Sequence, residues 1–317
     1  MKFGTLDHFY TGVAVPVSAL RSNQSCGCGE FPDLVLLGKW CKTVGTEIIQ
    51  ILPVNDTGLN NSPYSAISAL ALHPMFIRLQ DIPEAAPFSR EMEELRDNEK
   101  RIIYKQVLEG KLSLLKKMYK NNKEAIIKDK ELNIWIKNNP WIKPYAVFFQ
   151  FKKKYNFYHW KFWPVMQKPT ETEIEAEWTK NQDNSFFYAW VQYHLEKQLT
   201  TASKTLESMG VYLKGDIPIL MNEDSVDIWM YRKYFDLTKR AGAPPDMFSH
   251  LGQNWDFPVF NWEILRADDY WWWRLRLKQA QKFYHAYRID HVLGFFRIYR
   301  IPILEESGKM GYFYPSY

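Results

Sequence analysis

The chain has 317 residues, 46% hydrophobic and 16% aromatic, with 13 Trp, 19 Tyr and 20 Phe. That suffices for one large domain or two ordinary ones around a substantial core. The formal net charge of +5, from 41 Lys and Arg against 36 Asp and Glu, argues against a nucleic-acid binder. Such a protein clusters its basic residues in a patch, whereas these lysines gather mainly in one helical stretch that reads as a solvated face. Cys26, Cys28 and Cys41 are too few for a disulfide framework. Cys26-Gly27-Cys28 lacks the second Cys/His pair of a structural zinc site, so no metal and no other cofactor is expected. Residues 1–7 carry no apolar signal segment, and no run approaches the roughly 18 apolar residues of a membrane span. These features together point to a reducing cytoplasm.

Residues 12–17 read as a short buried strand. Residues 31–44 read as a helix, with Leu34, Leu37, Trp40 and Cys41 on one stripe and Gly45 at its C-terminal end. Residues 47–54 form a second apolar strand, which makes a βαβ unit with parallel strands. From about 83 to 180 the pattern turns helical and lysine-rich. Tyr104, Leu108, Leu112, Leu115 and Tyr119 recur on one helical face, and Asn139-Pro140-Trp141 breaks the pattern before an aromatic helix over 145–154. This block reads as a helical insertion between strands, not as a separate folding unit. A long amphipathic helix follows over 186–209, closed by Gly210, then a third strand over 211–220. A helix-rich stretch including 269–284 leads to the fourth strand, 286–290, with a further candidate strand at 296–301. Strands alternating with helices predict a parallel α/β architecture. Polar clusters at the strand ends predict a (β/α)8 barrel with its chemistry on the C-terminal rim. The expected division is a first part of the barrel at 1–82, a helical insertion at 83–180 and a continuation of the barrel at 181–317. Four or five strands of the required eight imply the N-terminal half to two-thirds of a barrel.

The strand ends carry the chemistry. After the second strand, Asn55-Asp56-Thr57-Gly58 and Asn61-Ser62-Pro63-Tyr64-Ser65 make a loop. Tyr64 there is either a turn residue or a platform and hydroxyl donor for a sugar. After the third strand, Asp216 of Gly215-Asp216-Ile217-Pro218 is either a helix cap or an acceptor for sugar hydroxyls, while Asp224-Ser225 reads as a helix cap. Pro244-Pro245-Asp246 and Gly252-Gln253-Asn254-Trp255 fit either a sugar subsite or a packed loop that buries Trp255. In Tyr287-Arg288-Ile289-Asp290-His291, alternation puts Arg288 and Asp290 on one face. An adjacent arginine favours the ionised carboxylate. An oriented carboxylate at a strand end suits the nucleophile of a retaining glycosidase. Taken alone, the pair equally fits a structural ion pair. No Gly-rich loop follows any strand, which argues against a nucleotide-binding α/β protein.

In this order, these clusters resemble the successive motifs of the 4-α-glucanotransferases (amylomaltases and disproportionating enzymes) of the α-amylase clan. The resemblance runs from about Gly12 to the C-terminus, and residues 141–163 are similar to that family's insertion helices. Gln253-Asn254-Trp255-Asp256-Phe257-Pro258 with Asn261-Trp262, and Leu293-Gly294-Phe295-Phe296-Arg297, look most like the disproportionating-enzyme-2 branch, without the starch-binding modules that usually precede its core. The resemblance implies a retaining, cofactor-free transferase that moves α-1,4-glucan segments between maltose, maltodextrins or glycogen-like acceptors. It implies Asp290 as the nucleophile, resolved by a sugar 4-hydroxyl instead of water, and Arg288 as the residue that orients it. It places Tyr64, Ser62, Asp216, Asp246, Gln253, Trp255 and His291 along the donor subsites. It implies no nucleic-acid or membrane partner and leaves the oligomeric state open.

Retention also needs an acid/base carboxyl about 5–5.5 Å from the nucleophile. In the family this glutamate, and a third aspartate, lie on later strands, and Glu305 and Glu306 do not match its motif. The expectation is therefore a C-terminally truncated chain with half a catalytic site. A hydrolase of the same clan and a non-catalytic glucan-binding protein are the alternatives.

Overall fold

The computed structural model describes residues 8–96 and 101–316; the reading of residues 1–7 as leaderless lies outside them. Among the described residues the strands are β1 (Gly12–Val15), β2 (Ile48–Ile51), β3 (Tyr212–Ile217), β4 (Phe235–Ala243), β5 (Gln253–Phe260), β6 (Ala286–Ile289), β7 (Ile298–Pro302) and β8 (Tyr312–Tyr314). They form two four-stranded sheets, ordered β1-β2-β3-β6 and β5-β4-β7-β8. The first is wholly parallel, as the βαβ reading requires.

One face of this sheet is apolar and packs on the core. Ile49, Ile51 and Leu213 are fully enclosed. The helix Asp33–Val44 lays Leu34 and Cys41 into the core and ends at Gly45, whose φ of 73° is the left-handed cap read from the sequence. The helix Gln182–Ser208 contributes Leu195, Leu199 and Leu206. These two helices cross closely at Gly38, where a Cβ would stand 2.1 Å from Leu206 Cδ2. A larger residue there would force the helices apart.

Between β2 and Gln182–Ser208 run the insertion helices, chiefly Tyr104–Lys128, Lys130–Asn138, Ile142–Lys154 and Glu171–Lys180. Their starts are specified locally. Asp129 accepts from Leu132 N at 2.9 Å, and Thr170 with Glu173 forms a capping box. The block is bonded to the strand-end loops. Tyr145 Oη donates to Asp56 Oδ2 at 2.7 Å, and Lys152 pairs with Asp224.

Three local readings are corrected. Residues 296–301 overlap β7, but it pairs antiparallel with β4 and β8 and belongs to the second sheet. Residues 253–258, read as a loop, lie in β5, antiparallel to β4. Pro258 is tolerated there because β5 is an edge strand, where a missing N–H costs no ladder bond. Of the pair Asp224-Ser225, Ser225 is the cap of helix Val226–Met230, accepting from Ile228 N at 3.2 Å, whereas Asp224 is drawn away by Lys152.

Candidate active site

Register builds the site. β3 and β6 run parallel with Asp216 opposite Arg288 and Ile217 opposite Ile289, which brings the two polar side chains together at the C-terminal end of the sheet. Arg288 Nη1 donates to Asp216 Oδ2 at 2.7 Å. Its Nη2 donates to Asp290 Oδ1. The loop after β2 adds Tyr64, whose hydroxyl donates to the same Asp216 Oδ2 at 2.9 Å. The four residues Tyr64, Asp216, Arg288 and Asp290 therefore form one hydrogen-bonded chain from three segments.

The ends of this chain differ. The Asp216 side chain is wholly buried, and no donor among the described residues reaches its Oδ1. A buried acceptor without a partner is costly, and a ligand hydroxyl would satisfy it. Asp290 is 37% exposed and Arg288 40%. Among the described residues no donor reaches Asp290 Oδ2, so one carboxylate oxygen is held and the other is free.

Electrostatics fix the protonation of the neighbours. Burial and the bond to Asp216 push the Tyr64 phenol above its ordinary value, so it remains a donor. Burial lowers Arg288, but Asp216 and Asp290 outweigh it and raise the guanidinium overall. Burial also lowers His291, with Asp290 opposing, which favours a neutral imidazole at neutral pH.

His291 leaves the strand with φ of 51°, a left-handed conformation that costs a non-glycine residue and tends to persist at functional positions. Its ring meets Trp255 edge-on, centroids 4.9 Å apart and planes at 88°. Its buried Nε2 has no partner among the described residues. Trp255 Nε1 donates to Gln253 Oε1 at 3.0 Å. The second sheet thus delivers Trp255, held by Gln253, against the residue following Asp290.

Two sequence candidates stand apart from this cluster. Asp246 is exposed and spends Oδ1 on its own loop, accepting from Phe248 N at 2.8 Å and Ser249 N at 2.7 Å. Ser62 is exposed, and its N–H donates to Asn60 Oδ1 at 2.9 Å. No glutamate among the described residues joins the cluster. Glu305 follows β7, and its carbonyl accepts from Asn254 Nδ2 at 3.0 Å. Sequence reasoning gave Asp56 no role of its own, yet it holds the Tyr64 loop. Its Oδ1 accepts from Gly58 N at 2.8 Å and its Oδ2 from Tyr145 Oη. Cys26 and Cys28 are buried thiols raised by burial, Cys28 to about 11, with sulfurs directed at the carbonyls of Met92 and Met75.

The family model for 4-alpha-glucanotransferase matches residues 15–316. The chain belongs to the 4-alpha-glucanotransferase family. It is 38% identical over 320 residues to the 4-alpha-glucanotransferase DPE2 of Oryza sativa subsp. japonica, covering 96% of this chain and 34% of that protein. It is 37% identical over 316 residues to a 4-alpha-glucanotransferase of Chlamydia caviae, covering 96% of this chain and 58% of that one. The chain therefore spans between about a third and three-fifths of the length of these curated relatives. Amylomaltase from Streptococcus agalactiae, solved in complex with acarbose, superposes with a TM-score of 0.87 at 24% identity, covering 97% of this chain and 64% of that chain. The fold is thus that of the amylomaltases, a (β/α)8 barrel, of which the described residues supply four parallel strands. No helix among the described residues is long and apolar enough to cross a membrane.

Proposed function

We propose that the protein containing this chain is a 4-α-glucanotransferase acting on maltose, maltodextrins or glycogen-like α-glucans in the cytoplasm. Residues 1–82 and 181–317 serve as barrel, carrying the antiparallel sheet with β4 and β5 between β3 and β6 and β7 and β8 after β6, and residues 83–180 as a helical insertion. The observation that carries the reading is Arg288 bridging Asp216 and Asp290 while one oxygen of Asp290 stays open. In this reading Asp290 attacks the anomeric carbon and the glycosidic C–O bond breaks. The departing oxygen takes a proton from an acid outside this cluster. The 4-hydroxyl of an acceptor sugar then gives its proton to that same group, displaces Asp290 and re-forms the α-1,4 bond. Asp216 and Tyr64 hold hydroxyls of the donor sugar, and Trp255 offers an apolar ring to a pyranose face. Ser62 and Asp246 sit on flanking loops and contact longer donors.

Maltotriose as sole substrate tests this. Maltotetraose and longer products are expected alongside glucose and maltose. Glucose and maltose alone would identify a hydrolase.

Tyr64→Phe removes one of two donors from Asp216. Hydrogen bonds to charged groups contribute about 1.5–3 kcal/mol. A loss of roughly 10- to 100-fold in kcat/KM for maltotriose is therefore expected, with the melting temperature nearly unchanged because Tyr64 is half-exposed. Wild-type kcat/KM in this variant would remove Tyr64 from the site.

A further inference from the structure

A second concavity lies away from Asp290, between the helices Tyr104–Lys128, Ile142–Lys154 and Gln182–Ser208. It consists of two adjoining cavities, of about 1140 Å³ and 710 Å³. They share the wall made by Lys116, Lys120, Lys153, Phe187 and Tyr188. Each is large enough for a small organic ligand.

The charges lining it do not cancel. Every acidic group facing the space is already engaged. Asp183 is held by Lys123 at 2.7 Å and Glu177 by Lys180 at 3.3 Å. Glu173 is bound to its own cap, Thr170. Glu109 faces Lys105 at 4.0 Å, and Asp224 is paired with Lys152. Asp56 accepts from Tyr145 and Gly58. On the basic side, Lys116, Lys117, Lys120 and Lys153 have no carboxylate within 4.0 Å among the described residues. Lys154 rests on the rings of Phe151 and Tyr155 at 5.5 and 5.3 Å. Lys116 stands 6.0 Å from the Phe187 ring centre. Its pKa is lowered by burial and then by Lys153, as expected where like charges converge without a counter-ion.

We propose that this cleft binds a small organic phosphate ester. The phosphate sits among Lys116, Lys120 and Lys153, and the organic body lies along Phe187 and Tyr188. Free lysines converging on a partly enclosed space focus a positive potential and provide point donors for phosphate oxygens. The aromatic side of the same wall offers area that an inorganic ion leaves unused. A neutral sugar would leave the cations uncompensated. At its inner end the cleft reaches Asp56, Thr57 and Gly58, so an occupant abuts the loop that carries Tyr64.

Isothermal titration of the protein with glucose 1-phosphate, AMP, inorganic phosphate and glucose tests the assignment. The parallel glucose titration removes any heat from sugar binding at the Asp290 site. At least one of the two esters is expected to bind saturably, more tightly than inorganic phosphate and more weakly as salt is raised. Glucose 1-phosphate alone would assign a sugar body, and AMP alone an aromatic one. The double variant Lys116→Gln/Lys153→Gln is expected to weaken that binding by at least about tenfold, the cost of losing charge-assisted contacts. Both lysines are exposed, so the variant should melt like the parent. Three results would overturn the proposal: no saturable binding of either ester, inorganic phosphate binding as tightly as both, or unchanged affinity in the double variant.

Discussion

In the complete protein containing this chain, Asp290→Asn is expected to abolish glucan transfer while leaving maltodextrin binding in place. The amide is nearly isosteric and can still accept from Arg288 Nη2, so the strand end keeps its shape. It loses the anionic oxygen that would attack the anomeric carbon. Without the covalent step, kcat on maltotriose should fall at least about 10³-fold, roughly 4 kcal/mol of barrel-rim chemistry. Maltotriose affinity by titration should stay within about threefold, because Asp216, Tyr64 and Trp255 are untouched. The pairing of the two measurements matters. A fall in both would mean that Asp290 is a structural partner of Arg288, and retained turnover would place the nucleophile elsewhere. Arg288 serves as a control. Its two bonds, to Asp216 and Asp290, span two strands, so Arg288→Met should reduce kcat and sugar affinity together.

How much of this was legible in the chain depends on how local the signal is. Arg288 and Asp290 are two residues apart, so strand alternation alone set them on one face. Asp216 joined them because β3 and β6 are neighbours in a parallel sheet, which the strand–helix–strand rhythm already implied. The second sheet was hidden. β5 contains Asn254, Asp256 and Pro258, residues that read as a loop, and becomes a strand only because β4 pairs with it. The role of Asp56 was hidden for another reason: its partner Tyr145 lies 89 positions away on an insertion helix. Asp246 shows the same limit from the other side. Its motif suggested a sugar contact, and only the fold shows that its Oδ1 also closes its own turn. A motif gives the residue and its neighbourhood, whereas the hydrogen-bond partner is decided by tertiary packing.

The same limit concealed the charge cluster that joins the insertion to the barrel. Glu30, Asp33, Arg78 and Lys111 are all buried, with Glu30 and Lys111 at 0% exposure. Arg78 Nε donates to Glu30 at 2.7 Å and its Nη2 to Asp33 at 2.5 Å. Lys111 Nζ donates to Glu30 at 2.6 Å and to the carbonyls of Met75 and Ile77 at 2.7 and 2.9 Å. Among the described residues Glu30 is the only carboxylate bonded to both cations. Glu30→Ala would leave the Lys111 ammonium enclosed with carbonyls alone, and removing one member of a buried pair typically costs about 3–5 kcal/mol. At about 2 °C per kcal/mol for a chain of this size, the melting temperature should fall by roughly 6–10 °C. Removing the stranded cation as well should recover part of the loss, since a buried pair replaced by apolar groups is often neutral. Glu30→Ala/Lys111→Met is therefore expected to melt above Glu30→Ala. A single variant that melts within 2 °C of the parent, or a double variant below the single, would mean that Lys111 is hydrated in solution and that the insertion is anchored by its apolar contacts and the Tyr145–Asp56 bond instead.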